Sequence, residues 1–152
     1  MSEMSSVRDQ LFLDVQGFLT EIMHVVDRRD RAGYLDLIAL PYVIITATDT
    51  RIFIDEDDMA DHFTLFLAGL DTLGFEGVRH SLIRADALGR DLVSGIYETQ
   101  LLGGTRVVAA PYRSTITIRR QTDRWRAVAN AHTIGHADWI DRLGADDALH
   151  KK

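Results

Sequence analysis

The sequence contains no cysteine and only two prolines. Without cysteine, the chain has no disulfide bond, no thiolate nucleophile and no cysteine metal site. No apolar run approaches the roughly 18 residues that a membrane-spanning helix requires. The formal net charge of −6 disfavours nucleic acid or an anionic lipid surface as a main partner, because phosphate binding needs a concentrated basic surface. The first six residues lack the basic and apolar regions of a signal peptide, so we expect a cytoplasmic protein.

The pattern that is present predicts helices first and a meander of strands last. The chain has 152 residues, of which 46% are hydrophobic, enough for one domain with its own core. Helical signals cover 8–28, 30–40 and a segment that starts after the N-cap residue Asp55, with Pro41 ending the second helix. The predicted strands are 42–47, 51–54, 78–85, 92–102, 105–119 and 124–134, and a short terminal helix is predicted over 136–149. This order predicts an α+β domain over residues 1–152.

Hairpin geometry assigns the side chains of the last three strands to two faces of the sheet, since cross-strand partners share a face. A two-residue turn at Gly103-Gly104 places Tyr97 opposite Ala110, and the last hairpin pairs Ile118 with Trp125. The inner face, toward the helices, then carries Val93, Gly95, Tyr97, Thr99, Val108, Ala110, Tyr112, Ser114, Ile116, Ile118, Trp125, Ala127, Ala129, Ala131 and Thr133. The outer face carries Ser94, Glu98, Gln100, Arg113, Thr115, Thr117, Arg126, Asn130 and His132. A slip of one residue would invert the assignment.

Small residues and tyrosines on the inner face indicate one of two arrangements. Either the helices pack closely there, or the face borders an open pocket in which tyrosine hydroxyls find partners. For the pocket, the predicted ligand-binding residues are His62, Phe63, Tyr112, Ser114 and Thr133.

Two histidines are candidates for acid–base chemistry. His80 falls opposite Tyr97 on the inner face if Leu88-Gly89 closes the preceding hairpin, and His62 shares the apolar stripe of the third helix. Each is either a hydrogen-bonded core residue or a general acid or base, because imidazole titrates near neutral pH. We take His80 and Tyr97 as the catalytic candidates. Arg84, on the same predicted face, either binds an acidic ligand group or lies at the rim with its head in water.

Other constellations have structural explanations. His132 and His136 are four residues apart, a spacing that makes a metal-ligand pair only on a helix, whereas this run begins on a strand and crosses a glycine. We therefore predict no metal site and no cofactor. The acidic run 55–58 lacks the spacing of a calcium loop and is explained by helix capping. Five arginines between 113 and 126 form a basic patch that we interpret as a solvated sheet face.

The order of elements resembles the nuclear transport factor 2-like superfamily, and within it the SnoaL-like group. The matching motifs are the strand start His80-Ser81-Leu82-Ile83, a polar turn before 92–97, and the closing Asp123-Arg124-Trp125-Arg126-Ala127-Val128. The resemblance covers about residues 8–135, leaving 136–152 as an extension. It implies three helices packed in the concave face of a strongly curved, mainly antiparallel sheet, a cystatin-like cone with an internal pocket and often a dimer through the outer face.

The resemblance implies several functions, because the family includes isomerase-like enzymes, dehydratases, cyclases and non-enzymatic binding domains. Many relatives carry polar groups after the tryptophan, where this chain is predicted to present Ala129 and Ala131. No acidic residue of the inner face matches an isomerase base, so the permitted version is His80 or His62 as base with Tyr97 or Tyr112 as donor. The first hypothesis is a small-molecule pocket protein, a cofactor-free isomerase, cyclase or dehydratase for an apolar oxygenated substrate. The second is a non-enzymatic homodimeric binding or assembly module.

Overall fold

The computed structural model describes residues 2–72, 76–103, 106–107 and 111–133. The helices are α1 (Ser2–Asp27), α2 (Arg31–Asp36) and α3 (Glu56–Thr72). The strands are β1 (Ile38–Ile45), β2 (Thr50–Phe53), β3 (Gly77–Ala87), β4 (Leu92–Gly103), β5 (Arg106–Val107), β6 (Tyr112–Gln121) and β7 (Arg124–His132). The predicted terminal helix over 136–149, the predicted turn residue Gly104, and the inner-face residues Val108 and Ala110 lie outside the described residues.

Aspartates begin two of the helices. The side chain of Asp55 accepts a 2.9 Å hydrogen bond from the backbone N–H of Asp58, which confirms the predicted N-cap of α3. Asp30 does the same for α2, accepting from Gly33 N at 2.9 Å. Three acidic residues then occupy the first turn of α3, where the helix dipole favours negative charge.

The second predicted helix is wrong in its second half. α2 ends at Asp36, and the strand β1 begins at Ile38, so Pro41 lies inside a strand rather than at a helix end. The reason is tertiary: Leu37 O accepts a 2.8 Å hydrogen bond from Ala127 N, and Ile38 pairs in parallel with Ala127. Pairing with β7 buries this apolar segment and overrides its helical spacing.

The strands form one mainly antiparallel sheet in the order β2-β1-β7-β6-β4-β3, with the short β5 paired to β4. The β1–β7 pair is parallel and the other pairs are antiparallel. Helix α1 packs against β3 and β4, α2 lies between α1, α3 and β1, and α3 contacts β2. Three helices against an open, mostly antiparallel sheet confirm the predicted α+β class. None of the described helices is both long and apolar enough to cross a membrane.

The predicted registers are displaced, although most faces are correct. Tyr97 pairs with Ser114 rather than with Ala110, and Ile118 pairs with Ala127 rather than with Trp125. His80 pairs with Thr99 rather than with Tyr97. Each displacement is an even number of residues, so the side chains keep their predicted face.

A β-bulge in β7 overturns the predicted faces at the end of that strand. Ile118 pairs with Ala127, but its neighbour Thr117 pairs with Ala129, so Val128 is an extra residue without a partner in β6. The alternation of faces is therefore reversed beyond Val128. Asn130 pairs with the inner-face residue Ile116 and His132 with Ser114, whereas the alanines predicted to face the helices, Ala129 and Ala131, lie on the outer face.

A second bulge in β3 corrects the placement of Arg84. Leu82 pairs with Tyr97 and Arg84 pairs with Ile96, which leaves Ile83 as the extra residue. Arg84 therefore points to the outer face, where its side chain is exposed and its Nε lies 2.8 Å from Asp86 Oδ2. The prediction that Arg84 shares the inner face with His80 is wrong. Of the two predicted roles for Arg84, the one with its guanidinium group in water agrees better with this exposed position.

Candidate functional site

A cavity of about 70 Å³ lies between the helices and the inner face of the sheet. Its apolar lining consists of Leu19, Ile22, Val26, Ile38, Ile44, Phe66, Val78 and Ile116. Its polar lining consists of Tyr34, Tyr42, His62, His80, Tyr97, Thr99, Tyr112, Asn130 and His132. Drug-sized ligands occupy pockets of roughly 300–1,000 Å³, so a cavity of about 70 Å³ suits a smaller molecule or part of a larger one.

All four tyrosines of the chain line this cavity. Burial raises the pKa of each, and for Tyr42 the neighbouring Tyr34 and Tyr97 add to the increase. Tyr34 stacks on Phe63 with ring centroids 4.3 Å apart. Because a raised pKa keeps a phenol protonated, the cavity wall holds four neutral hydroxyl groups at ordinary pH.

His80 enters the cavity from β3. Its Nδ1 lies 3.0 Å from Thr99 Oγ1, and its ring meets the ring of Tyr97 edge-on with centroids 5.0 Å apart. Burial lowers the pKa of His80 from 6.5 to about 4, because the apolar surroundings disfavour the charged imidazolium. His80 is therefore a neutral imidazole at neutral pH.

Tyr97 and Asn130 form the best-defined polar contact in the cavity. Asn130 Nδ2 donates to Tyr97 Oη at 2.9 Å and to the backbone carbonyl of Thr115 at 2.7 Å. Tyr97 is 3% exposed. Burial raises its pKa, and hydrogen bonds with Asn130 and with Ser114 offset part of that increase.

Ser114 and His132 form a buried pair directly behind the cavity wall. Ser114 Oγ lies 2.6 Å from His132 Nδ1, and the His132 ring meets Tyr112 edge-on at 5.8 Å. Of the two, His132 contributes to the lining. Tyr112 also bonds to Thr99, which is the partner of His80, so the polar groups of β3, β4, β6 and β7 are linked.

The structure brings together four of the seven predicted site residues in the lining: His80, Tyr97, His62 and Tyr112. His62 is buried, with its ring 4.8 Å from Phe53. Phe63 and Ser114 are buried beside the cavity, not among its lining residues. Thr133 lies just beyond the end of β7, where it is exposed and its N–H bonds to Arg113 O at 3.0 Å.

Sequence reasoning missed several groups that complete the cavity. Asn130 and His132 were assigned to the outer face because regular alternation cannot anticipate the extra residue Val128. Tyr34 and Tyr42 come from α2 and β1, whose boundary was predicted incorrectly. The one available signal was that a tyrosine on a buried face needs a polar partner, which indicates further polar groups in the core.

Among the residues that the structure describes, the lining contains no aspartate, glutamate, lysine or arginine. Over the described ranges, no group of three or more histidine and acidic side chains is placed to hold a metal ion. These described side chains can donate and accept hydrogen bonds, and none of them is an acidic, lysine or arginine group.

No protein-family model and no curated protein sequence matches this chain. Solved structures do match. A Nostoc punctiforme protein of unknown function with a cystatin-like fold is 17% identical, with a TM-score of 0.61 over 81% of this chain and 90% of that protein. A candidate dehydratase of the NTF2-like family from Streptomyces avermitilis is 15% identical, with a TM-score of 0.63 over 84% and 97%.

A ketosteroid isomerase-like protein from Erwinia carotovora atroseptica is 10% identical, with a TM-score of 0.58 over 80% of this chain and 94% of that one. Identities this low show a shared fold and leave activity open. The resemblance to the SnoaL-like group stays a prediction. At the level of fold, the sequence resemblance is confirmed: this chain has the cystatin-like α+β fold of the nuclear transport factor 2-like proteins.

Proposed function

We propose that this protein binds a small, mostly apolar molecule that carries an oxygen, in the cavity between the helices and the inner face of the sheet. The observation that supports this proposal most is the gathering of all four tyrosines around one cavity whose other lining residues are mostly apolar. Tyrosines that serve packing alone would be expected to distribute over the core. Apolar walls with a few convergent polar groups are the usual composition of a small-molecule site.

If the protein is an enzyme, we propose cofactor-independent isomerisation, cyclisation or dehydration, with His80 as base and Tyr97 as hydrogen-bond donor. The rings of these two residues are 5.0 Å apart. A base with a pKa of about 4 is free at neutral pH but intrinsically weak, whereas an efficient general base titrates near the working pH. This mismatch favours binding over proton abstraction as the primary role.

The binding proposal is tested by native mass spectrometry of the protein purified from its own host, run gently and then under denaturing conditions. We expect a defined small molecule that is released on denaturation. Ile116→Phe, on the cavity wall, should abolish its retention, while Ile96→Phe, on the outer face of the adjacent strand, should not. Retention by both variants, or a ligand-free wild type that takes up no small apolar probe, would contradict the proposal.

The catalytic extension is tested once that molecule is identified. His80→Ala and Tyr97→Phe should abolish its turnover while the circular dichroism spectrum is unchanged. Full activity in both variants would leave a binding protein without the proposed chemistry.

A second candidate function, a homodimeric assembly module, is favoured by the outer face of the sheet. Across β1, β7, β6 and β4 the register aligns two rows of uncharged residues, which end at Arg84 and Asp86 on β3: Ile45, Ala131, Thr115 and Ile96 in one, and Val43, Ala129, Thr117 and Ser94 in the other. Ile45 is 44% exposed. The lack of charge across these four strands supports the proposal of an interaction surface on this face.

Sedimentation tests the assembly proposal. We expect a dimer that Thr115→Glu combined with Arg113→Glu converts to a monomer, while Thr64→Glu on the exposed side of α3 leaves it intact. A monomeric wild type would remove this candidate.

A further inference from the structure

The side chain of Asn130 has a fixed orientation. Its Nδ2 lies 2.7 Å from the backbone carbonyl of Thr115 and 2.9 Å from Tyr97 Oη. A carbonyl oxygen can only accept a hydrogen bond, so the atom facing Thr115 must be the amide nitrogen and not the amide oxygen. The amide therefore cannot rotate to accept from Tyr97, and the phenol oxygen is the acceptor in that contact.

This polarity determines what Tyr97 can do next. Its own proton cannot go back to Asn130 and is directed either to Ser114 or into the cavity that Tyr97 lines. A hydrogen bond accepted by the phenol oxygen polarises the O–H bond and strengthens it as a donor. Asn130 thus fixes Tyr97 as a donor, and an acceptor bound in the cavity competes with Ser114 for its proton.

The rest of the lining discriminates by charge. Its described residues include no lysine or arginine, and His80 is held in its neutral form by burial. An anionic ligand would lose its hydration there without gaining a counter-charge, which is costly in an apolar site. A neutral acceptor such as a carbonyl oxygen avoids the cost of burying a charge, and it accepts a hydrogen bond from Tyr97.

Resting on the proposed function, we propose that Asn130 is a positioning residue that orients the Tyr97 hydroxyl as a donor, so that the cavity selects neutral carbonyl compounds over their hydrocarbon and carboxylate analogues. Asn130 acts through Tyr97, and the ligand oxygen contacts the phenol. The bulge at Val128 is what brings Asn130 to this side of the sheet.

Three probes of similar size and shape, chosen for a cavity of about 70 Å³, test this: acetone, isobutene and acetate. We expect acetone to bind about three- to tenfold more tightly than isobutene, the gain of one net hydrogen bond. We expect acetate to bind more weakly than either. Infrared difference spectra should show the carbonyl stretch of bound acetone moved to lower frequency, and Tyr97→Phe should abolish that shift.

The variants at Asn130 separate positioning from mere packing. In Asn130→Asp, the carboxylate accepts the Tyr97 proton. The infrared shift of the bound ketone's carbonyl should therefore fall to the level seen with Tyr97→Phe. Asn130→Leu leaves the phenol unoriented but able to donate, so it should retain part of the shift. Gln100→Leu, which removes an amide from the outer face of β4, should match the wild type. Melting temperatures identify any variant that fails to fold.

Each outcome decides between the two proposals. The role of Asn130 is overturned if the hydrocarbon or the carboxylate binds more tightly than the ketone. It is also overturned if Asn130→Asp keeps the wild-type carbonyl shift. In both cases the proposal of a binding cavity is unaffected. Failure of all three probes to bind counts against the binding cavity itself.

Discussion

The inner face of the sheet has two ends that differ in chemistry although they belong to the same strands. Toward the β6–β7 turn, the residues Val93, Ile118 and Ala127 are fully buried with Val15 of α1 and form a solid apolar core. Beyond Val128, the same strands present Tyr97 and Asn130 to a cavity. One end is closely packed and apolar, and the other concentrates hydrogen-bonded pairs of polar groups.

A single unpaired residue separates the two ends. Val128 reverses the alternation of β7, so the strand changes from presenting Ala127 to presenting Asn130 and His132 without crossing the sheet. The bulge allows a polar site to lie next to the apolar core. It confines the polar side chains of β7 to one end of the sheet, where hydrogen-bonding partners on β4 and β6 are available.

The largest expected effect is a truncation in the apolar end. Ile118→Ala removes a fully buried side chain from a closely packed region and should lower the free energy of unfolding by about 2–5 kcal/mol. The matched control is Ile96→Ala on the outer face of the neighbouring strand, where the side chain is half-buried and the loss should be well under half as large. Urea denaturation measures both. Equal losses would mean that the apolar end is not the tightly packed part of the sheet.

The alternation of apolar and polar residues in β4 was enough to predict the faces of the central strands. Val93, Gly95 and Tyr97 face inward as expected, and this survived register errors of two and four residues because an even displacement preserves the face. The N-cap of α3 was equally local, since Asp55 and its first-turn partner lie three residues apart. Signals of this kind depend only on neighbouring residues.

The missed features depend on contacts between distant parts of the chain. Residues 127–132 alternate alanine with valine, asparagine and histidine, and either set is acceptable on a buried face, so nothing local reveals the extra residue at Val128. Similarly, Leu37–Leu40 has helical spacing and becomes a strand because it pairs with β7. The described lining of the cavity comes from eight elements, namely α1, α2, α3, β1, β3, β4, β6 and β7. Its residues could be predicted only where the positions of these elements were predicted correctly.

The polar end should make the free energy of unfolding depend on pH. The pKa of His80 is lowered by burial to about 4 in the folded protein, against an ordinary value of 6.5 in the unfolded chain. Between these values the unfolded state binds the proton and the folded state does not, so stability falls as the pH decreases from 6.5 to 4 and the effect ends below 4. The full loss is at most about 3 kcal/mol.

Urea denaturation across that pH range measures the effect in the wild type and in His80→Gln, which should show a shallower decrease. His24→Gln, at an exposed position of α1, should keep the wild-type slope. Identical slopes in wild type and His80→Gln would indicate that His80 titrates normally and that the polar end admits water freely.

The smallest expected effect tests how closely the helix approaches the sheet at the apolar end. A Cβ atom added at Gly95 would lie 2.9 Å from Val15 Cγ1 and 3.3 Å from Leu82 Cδ1. Val15 is fully buried and cannot move aside, so Gly95→Ala should destabilise the protein by about 1–3 kcal/mol. At Gly17, on the same helix, an added Cβ meets nothing within 4 Å, and Gly17→Ala should stabilise by about 0.5–1 kcal/mol because alanine favours the helix. Changes in melting temperature of opposite sign would confirm that close packing is specific to the contact between α1 and the sheet. If both substitutions raised the melting temperature, α1 would lie farther from the sheet at Gly95 than the 2.9 Å contact implies.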